Sequence, residues 1–583
     1  VLSNLKSLSR AETGLLLLLM LAGAWLRLHG IGEWYWSPDD SYRLFHAGAP
    51  TLWQVIERVT AHDTHAPLIY IILHFMLMLG DHPLWLRSVS YVPGVLAIPA
   101  AFLLGRAVIG KEAGWVIAVL ATFSSDAIIL SQPLRQYSLL LLIQIIVLWH
   151  WWNFHTTSQR KPLFWMVCWL LIGLLTHYMI ALLALALALA EGMRRIYRKQ
   201  WSQFRDLFVA MSLFGVFAGL FLAGYFSLQL NAYYMLEDAR MNWASYGFPR
   251  ENLLAHYLEQ LFYIMVAALP YDAVSAVIGL IALYVGVFYC LREGRQKTLL
   301  GIFSFLLTFY VIGSFFGKMP FMAGRHVVCL LVFFWLLTGC GLQIAIHRLA
   351  REMTKRPVIH AAKNFHPPLL FAPLVIIYAG YLSLAYPDYR KDYFLDFTIK
   401  AKDFARFSEK VEGFLTRPNH CVVMDLCSAQ LFLARQGDYD SPVFTAPQQS
   451  YAKDRGIAVS RNYHQGSLYF HHSGRCGITS LYKLQTVLEK IPSGCKVMMA
   501  TTSWKGSNML YALYNQQFFL QREKKKKFYG QDTVNIAHMI RTYQLSKNDL
   551  EAILYEGKST PYQQSVVYLP SSELLRRLKE ISP

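Results

Sequence analysis

Apolar residues in this chain come in long runs. Eleven stand out, near residues 14–29, 86–106, 115–131, 137–153, 163–175, 178–192, 206–228, 273–290, 298–316, 327–346 and 369–386. Their lengths lie near the ~20 residues an α-helix needs to cross ~30 Å of hydrocarbon. The pattern predicts eleven transmembrane helices. A further apolar segment, 67–80 (PLIYIILHFMLMLG), has only fourteen residues, which suits a re-entrant or juxtamembrane helix in the first outer loop. Beyond residue 386 the runs shorten and charges return. HCVVMDL (420–426), KVMMATT (496–502) and SVVYLP (565–570) read as strands, and 400–415 and 572–581 as helices. The expected organisation is a polytopic α-helical membrane domain over 1–386 and a soluble α/β domain over 387–583.

Charge placement sets the expected orientation. With the N-terminus in the cytoplasm, the inner loops carry nineteen Lys and Arg and the outer loops seven, the bias of cytoplasmic loops. An odd number of spans then places the tail outside. Reading 67–80 as a span would invert every later loop and destroy the bias. Lys6 and Arg10 precede the Leu run from Leu15 with no small-x-small cleavage pattern after it, so the first run reads as a retained span.

Composition narrows the class. Only 16% of the 583 residues are charged, against roughly 25% in soluble domains, which argues against a soluble enzyme. The 55% hydrophobic content excludes a disordered chain. The net charge of +19 does not imply nucleic acid, because most of the basic residues before 387 sit in short loops. The tail has 27 basic and 18 acidic residues. Its run Arg522, Lys524, Lys525, Lys526 and Lys527 reads as a solvated loop or as a contact for anionic headgroups or a phosphorylated acceptor. Of eight Cys, Cys168, Cys290, Cys329 and Cys340 fall in apolar runs and read as core residues, and no CxxC pair exists.

Candidate chemistry gathers in the outer loops. The first holds WYWSPDDSYRLFH (34–46), with Asp39 and Asp40 among aromatic residues, and AHDTHAPLIY (61–70). A carboxylate there can act as a general base on a hydroxyl; the alternative is an Asp-Asp helix cap. SQPLRQYS (131–138) brings Arg135 and Tyr137. Arg135 is either an interfacial snorkelling residue or a planar clamp for phosphate oxygens. His177 lies in a tight outer turn, and GKMPFMAGRH brings Lys318, Arg325 and His326. One base, several cations and aromatic residues on one membrane face suggest chemistry on a lipid-linked phosphate. His62, Asp63 and His65 lack the spacing of a helical zinc site, and Pro67 opposes a regular helix there. No metal or other cofactor is expected.

These residues resemble glycosyltransferase family 39, which includes protein O-mannosyltransferases, and the related lipid A aminoarabinose transferases. The acidic pair after the first span is similar to the family's Asp-Glu motif. Asp63-Thr-His65-Ala-Pro67-Leu68 is similar to D-x-H-P-P-L. Leu104-Gly105-Arg106 through Gly110 also fits, and Ser131 to Ser138 is similar to S-Q-E-A-R-x-Y. The resemblance covers roughly residues 10–345. Asp40 stands where Glu is usual, Ala66 replaces a Pro, Pro133 replaces an acidic residue, and Arg325-His326 stands where Arg-Tyr is common. The resemblance implies a GT-C architecture, a polyprenyl-phosphate sugar donor and transfer at the periplasmic face of a bacterial inner membrane. The acceptor would be lipid A or other lipopolysaccharide, another glycan or a protein hydroxyl. Asp39 would be the general base in an inverting displacement and Asp40 would orient it or the acceptor. Arg135, Arg325 and Lys318 would hold the phosphate, with His65, Tyr137, His177 and His326 as further phosphate or sugar contacts. The competing reading is a transporter or flippase of a lipid-linked sugar, which predicts half-sequence repeats or helices broken at mid-membrane; neither is evident in the sequence.

Overall fold

In the computed structural model a helix stands at each of the eleven expected positions. The structure describes residues 8–33, 36–63, 65–231, 252–270, 272–292, 296–316, 319–322, 324–354, 373–384, 401–425, 428, 429, 432, 435, 459–463, 466–471, 488, 491–501, 549–558 and 564–580. In chain order the helices are α1 (Arg10–Leu28), α2 (Pro38–Ala47), α3 (Leu52–His62), α4 (Leu68–Leu79), α5 (Pro83–Val108), α6 (Lys111–Phe123), α7 (Ser125–Ile129), α8 (Tyr137–Thr157), α9 (Arg160–Thr176), α10 (Ile180–Tyr197) and α11 (Trp201–Phe221). Then come α12 (Ser227–Asn231), α13 (Leu253–Ala267), α14 (Ala273–Arg292), α15 (Lys297–Phe315), α16 (Val328–Thr354) and α17 (Pro373–Leu384). Seven of the described helices are long and apolar enough to cross a membrane: α1, α5, α8, α14, α15, α11 with its continuation to Gln229, and α16 with the turn from Arg325. The half-span expected at 67–80 is α4, twelve residues long.

Two elements differ from the sequence pattern. The run 115–131 is broken: α6 ends at Phe123 and α7 begins at Ser125. The cause is Ser124-Ser125, whose hydroxyls turn to carbonyls of another segment, Ser124 Oγ to Ala267 at 3.2 Å and Ser125 Oγ to Leu269 at 3.2 Å. Serine side chains that bond elsewhere compete with helix continuation. The second is α13, an apolar fifteen-residue helix inside the segment 229–272 expected as an outer loop, too short by itself for a regular span.

The chain divides into two compact units, one of residues 1–29, 64–228 and 240–389, the other of 30–63, 229–239 and 390–583. In the first, α14 and α16 pack with backbones in contact. A Cβ on Gly286 would fall 1.9 Å from Leu337 O, and one on Gly341 would fall 1.8 Å from Ala282 O. Only glycine permits that approach. At the C-terminal ends of α8 and α10, the fully buried Glu191 accepts from Arg195 Nε at 2.6 Å and Arg194 Nη1 at 2.8 Å and meets His155 Nδ1 at 2.7 Å. Arg195 also bonds Ser158 Oγ and Gln200 Oε1, both at 2.9 Å. A buried charge needs such a set of partners.

The second unit contains α2, α3 and a six-stranded mixed sheet of order β2-β3-β1-β4-β6-β5. The strands are β1 (His420–Asp425), β2 (Val459–Tyr463), β3 (Gly466–His471), β4 (Lys496–Thr501), β5 (Leu550–Lys558) and β6 (Gln564–Pro570). The strands read from the sequence are β1, β4 and β6. Central β1 runs parallel to β3 and β4, and Cys421 to Met424 are all buried, which explains their unbroken apolar run. The expected helices are α18 (Ala401–Leu415) and α19 (Ser572–Glu580). A disulfide joins Cys421 of β1 to Cys495, just before β4. Cys290, Cys329 and Cys340 are buried and Cys168 is half-buried, none of them in a disulfide.

Candidate functional site

The donor-side candidates converge at one end of the helices of the first unit. The topology brings them there. α4 starts two residues after His65's neighbour Ala66, α8 starts at Tyr137, α9 ends one residue before His177, and α16 starts two residues after His326. The rings of His65 and His177 meet edge-on with centroids 6.3 Å apart, and Tyr137 tilts against His177 at 5.7 Å. Arg325 Nε donates to His326 Nε2 at 3.3 Å. Arg325, His177, Arg135 and His65 all lie within electrostatic reach of His326. Six residues from four separate segments thus form one cluster with two permanent positive charges. Lys318 and the run Arg522 to Lys527 lie outside the described residues.

Arg135 is held by its backbone. Ser90 Oγ, on α5, donates to Arg135 O at 2.8 Å and accepts Arg135 N–H at 3.0 Å. The same N–H also reaches Pro133 O at 2.8 Å. Ser138 Oγ closes the arrangement by donating to Ser90 O at 2.6 Å. The serines of the 131–138 motif are therefore backbone partners: Ser131 Oγ likewise donates to Ala127 O at 2.6 Å. The guanidinium is carried on a loop that has little freedom to slide.

The Arg325-His326 turn has its own anchor. Gly324, with φ at +90°, takes a backbone conformation that L side chains avoid. Its N–H donates to Asp126 Oδ2 at 3.2 Å, from a carboxylate only 4% exposed on α7. The neighbouring Ser125 N–H bonds Leu269 O at 3.1 Å. The tripeptide Ser124-Ser125-Asp126 thus ties together the segment after α13 and the turn that starts α16. Ser90 and Asp126 were not among the sequence candidates. A lone serine in an apolar helix carries no sequence signal. Asp126 carried a weak one, as an acidic residue inside an apolar run.

Asp39 and Asp40 belong to the second unit, at the start of α2. Ser37 is the N-cap and Pro38 the first helical residue. Asp40 N–H donates to Ser37 Oγ and Ser37 N–H donates to an Asp40 carboxylate oxygen, both at 3.1 Å. This reciprocal cap satisfies two helix-end donors. Asp40 is 2% exposed and forms the reciprocal cap where α2 begins. Asp39 occupies the second helical position of α2. Arg43, one turn further along, is also buried. Arg58 Nη1 donates to Phe45 O at 3.0 Å and its guanidinium lies 4.7 Å over the Phe45 ring, pinning α3 to α2.

No family model matches the sequence, and no curated relative does. The fold has counterparts among solved structures. The chain is similar to apo ArnT from Cupriavidus metallidurans, with 10% identity, 96% of this chain and 99% of that one covered, and a TM-score of 0.50. The same protein bound to undecaprenyl phosphate matches with 12% identity, 96% and 99% coverage and a TM-score of 0.44. Oligosaccharyltransferase AglB from Archaeoglobus fulgidus, in complex with an inhibitory peptide and a dolichol-phosphate, matches with 12% identity, 97% and 77% coverage and a TM-score of 0.48. The architecture expected from the sequence, a polytopic α-helical chain with a sheet in its C-terminal region, is the one found, and its fold is that of apo ArnT.

Proposed function

We propose that this chain is a membrane glycosyltransferase that moves a sugar from a polyprenyl-phosphate carrier to a hydroxyl acceptor on the outer face of the membrane. The observation that carries the reading is the cluster of Arg135, Arg325, His65, Tyr137, His177 and His326 at one end of a GT-C helix assembly. Two arginines with oriented ring donors suit a phosphate whose charge grows as the sugar departs. ArnT, whose fold this chain shares, has been solved with undecaprenyl phosphate, which supports a carrier of that kind.

Asp39 takes the proton from the acceptor hydroxyl as its oxygen attacks the anomeric carbon. The bond from that carbon to the phosphate oxygen breaks, and its electron pair stays on the phosphate. Inversion follows from a single displacement. Asp40 acts indirectly, through the cap that sets the first turn of α2. The setting is a bacterial inner membrane with the N-terminus cytoplasmic and the second unit periplasmic. The loop-charge bias supports that orientation, and so does the Cys421–Cys495 disulfide, because such bonds persist in oxidising compartments. The acceptor class is lipid A or other lipopolysaccharide, another envelope glycan or a protein hydroxyl.

The test uses purified wild type and Asp39→Asn with an extracted pool of polyprenyl-phosphate sugars and candidate acceptors, followed by mass spectrometry. Wild type should consume the donor and add one sugar mass to an acceptor. Asp39→Asn should bind the donor and transfer ~10²–10⁴-fold more slowly. Unchanged masses, with lipid crossing a vesicle membrane instead, would establish the transporter reading.

A further inference from the structure

The hydrogen bonds inside the cluster determine which nitrogen of two histidines carries the proton. His177 Nδ1 accepts the backbone N–H of Met179 at 3.2 Å. A backbone N–H can only donate, so Nδ1 presents a lone pair and the ring's proton sits on Nε2. His326 Nε2 accepts Arg325 Nε–H at 3.3 Å. A guanidinium in a protein does not lose its proton, so the ring's proton sits on Nδ1. The two rings are therefore neutral and of opposite tautomer. Adding a second proton to either would place a hydrogen against an existing donor and would cost one of these bonds.

The surroundings reinforce the neutral state. His326 faces Arg325, His177, Arg135 and His65, and His177 faces His65 and Tyr137. The carboxylate of Asp126 reaches this turn through the Gly324 N–H. Two arginines already supply positive charge, and further protonation meets their repulsion.

We propose that His177 and His326 serve the phosphate as neutral, tautomer-locked N–H donors, Nε2–H from His177 and Nδ1–H from His326, with the charge supplied by Arg135 and Arg325. This inference rests on the phosphate reading of the cluster and deepens it. Such donors are already oriented when the leaving phosphate changes from a diester monoanion to a monoester dianion, so no proton has to be acquired at that moment. Neither of these two rings changes charge across the pH range in which a free imidazole titrates near 6.5.

Amide side chains test the tautomers directly, because Asn places its N–H₂ near the Nδ1 position and Gln near the Nε2 position. The probe is citronellyl methyl phosphate, a diester whose single charge does not change between pH 5.5 and 8. Its binding to the full-length detergent-purified chain is measured by titration calorimetry. At position 177, His177→Gln should bind about tenfold more tightly than His177→Asn. At position 326 the order should reverse, with His326→Asn about tenfold tighter than His326→Gln. With His65→Gln, which removes the third imidazole of the cluster, affinity should vary less than threefold over the pH range. The pH series needs no substitution at 177 or 326 and stands even if those variants fail to fold. Binding that weakens about tenfold per pH unit above 6.5, or equal effects of Asn and Gln at both positions, overturns the proposal and leaves the phosphate reading in place. A wild type that binds no phosphate probe overturns both.

Discussion

Replacing Ser90 with Ala should disable Arg135 without touching its side chain. Ser90 is fully buried, and its hydroxyl is both donor to Arg135 O and acceptor of Arg135 N–H. The N–H retains Pro133 O at 2.8 Å, so the main loss is the hydroxyl donor to the carbonyl. A buried polar group deprived of its partner costs about 1–3 kcal/mol. If the loop shifts to recover that energy, the guanidinium shifts with it. At 1.4 kcal/mol per tenfold, a cost near ~2 kcal/mol corresponds to about 30-fold weaker binding of a polyprenyl phosphate. The assay is calorimetric titration of the purified variant with a short-chain polyprenyl phosphate, alongside its melting temperature. Ser138→Ala is the control, because it removes the bond to Ser90 O and leaves both Ser90–Arg135 bonds intact. The reasoning fails if Ser90→Ala binds and melts like wild type, or if Ser138→Ala weakens binding equally.

Other substitutions probe other parts of the structure. Asp126→Ala removes the acceptor for Gly324 N–H and should weaken phosphate binding about tenfold, while Asp126→Asn, which keeps an oxygen acceptor, should lose less; titration ranks the two. Gly286→Leu forces a side chain into the Leu337 carbonyl and should destabilise the chain by at least the ~1–3 kcal/mol of an overpacked core, read as a fall in detergent melting temperature. The double change Cys421→Ser with Cys495→Ser opens a 74-residue link and should cost the second unit about 2–4 kcal/mol, measured as an earlier proteolytic cut in the tail with the helices unaffected. Glu191→Gln leaves Arg195 and Arg194 without their carboxylate and should cost about 3–5 kcal/mol, seen as loss of folded protein on size-exclusion chromatography.

What the sequence made legible follows from what each residue does. Long apolar runs have one use in this setting, and each of the eleven proved helical. Arg135, His177 and His326 were legible because ionisable groups at a membrane boundary are costly and need a reason. Ser90 was not, because its role exists only once α5 lies beside the 131–138 loop. The break at Ser124 was hidden for the same reason: the carbonyls of Ala267 and Leu269 that attract the two serines lie more than a hundred residues away. Strands β2, β3 and β5 lack the apolar run of β1. They are held by pairing with neighbours, and a pattern search along one chain segment does not detect that. Asp40 carried two readings in the sequence, chemistry shared with Asp39 and a helix cap; its hydrogen bonds form the cap, and a cap that fixes the first turn of α2 is compatible with orienting Asp39.

The contact between α14 and α16 also constrains traffic. Where two helix backbones touch at Gly286 and Gly341, the seam is narrower than any hydrocarbon chain. No hydrocarbon chain can slip sideways between these helices at that level, and the pair cannot part there without giving up this packing. That stretch of the perimeter is a closed wall. A polyprenyl carrier of the kind proposed would have to enter through another seam, and the geometry of that other gap would admit or refuse it.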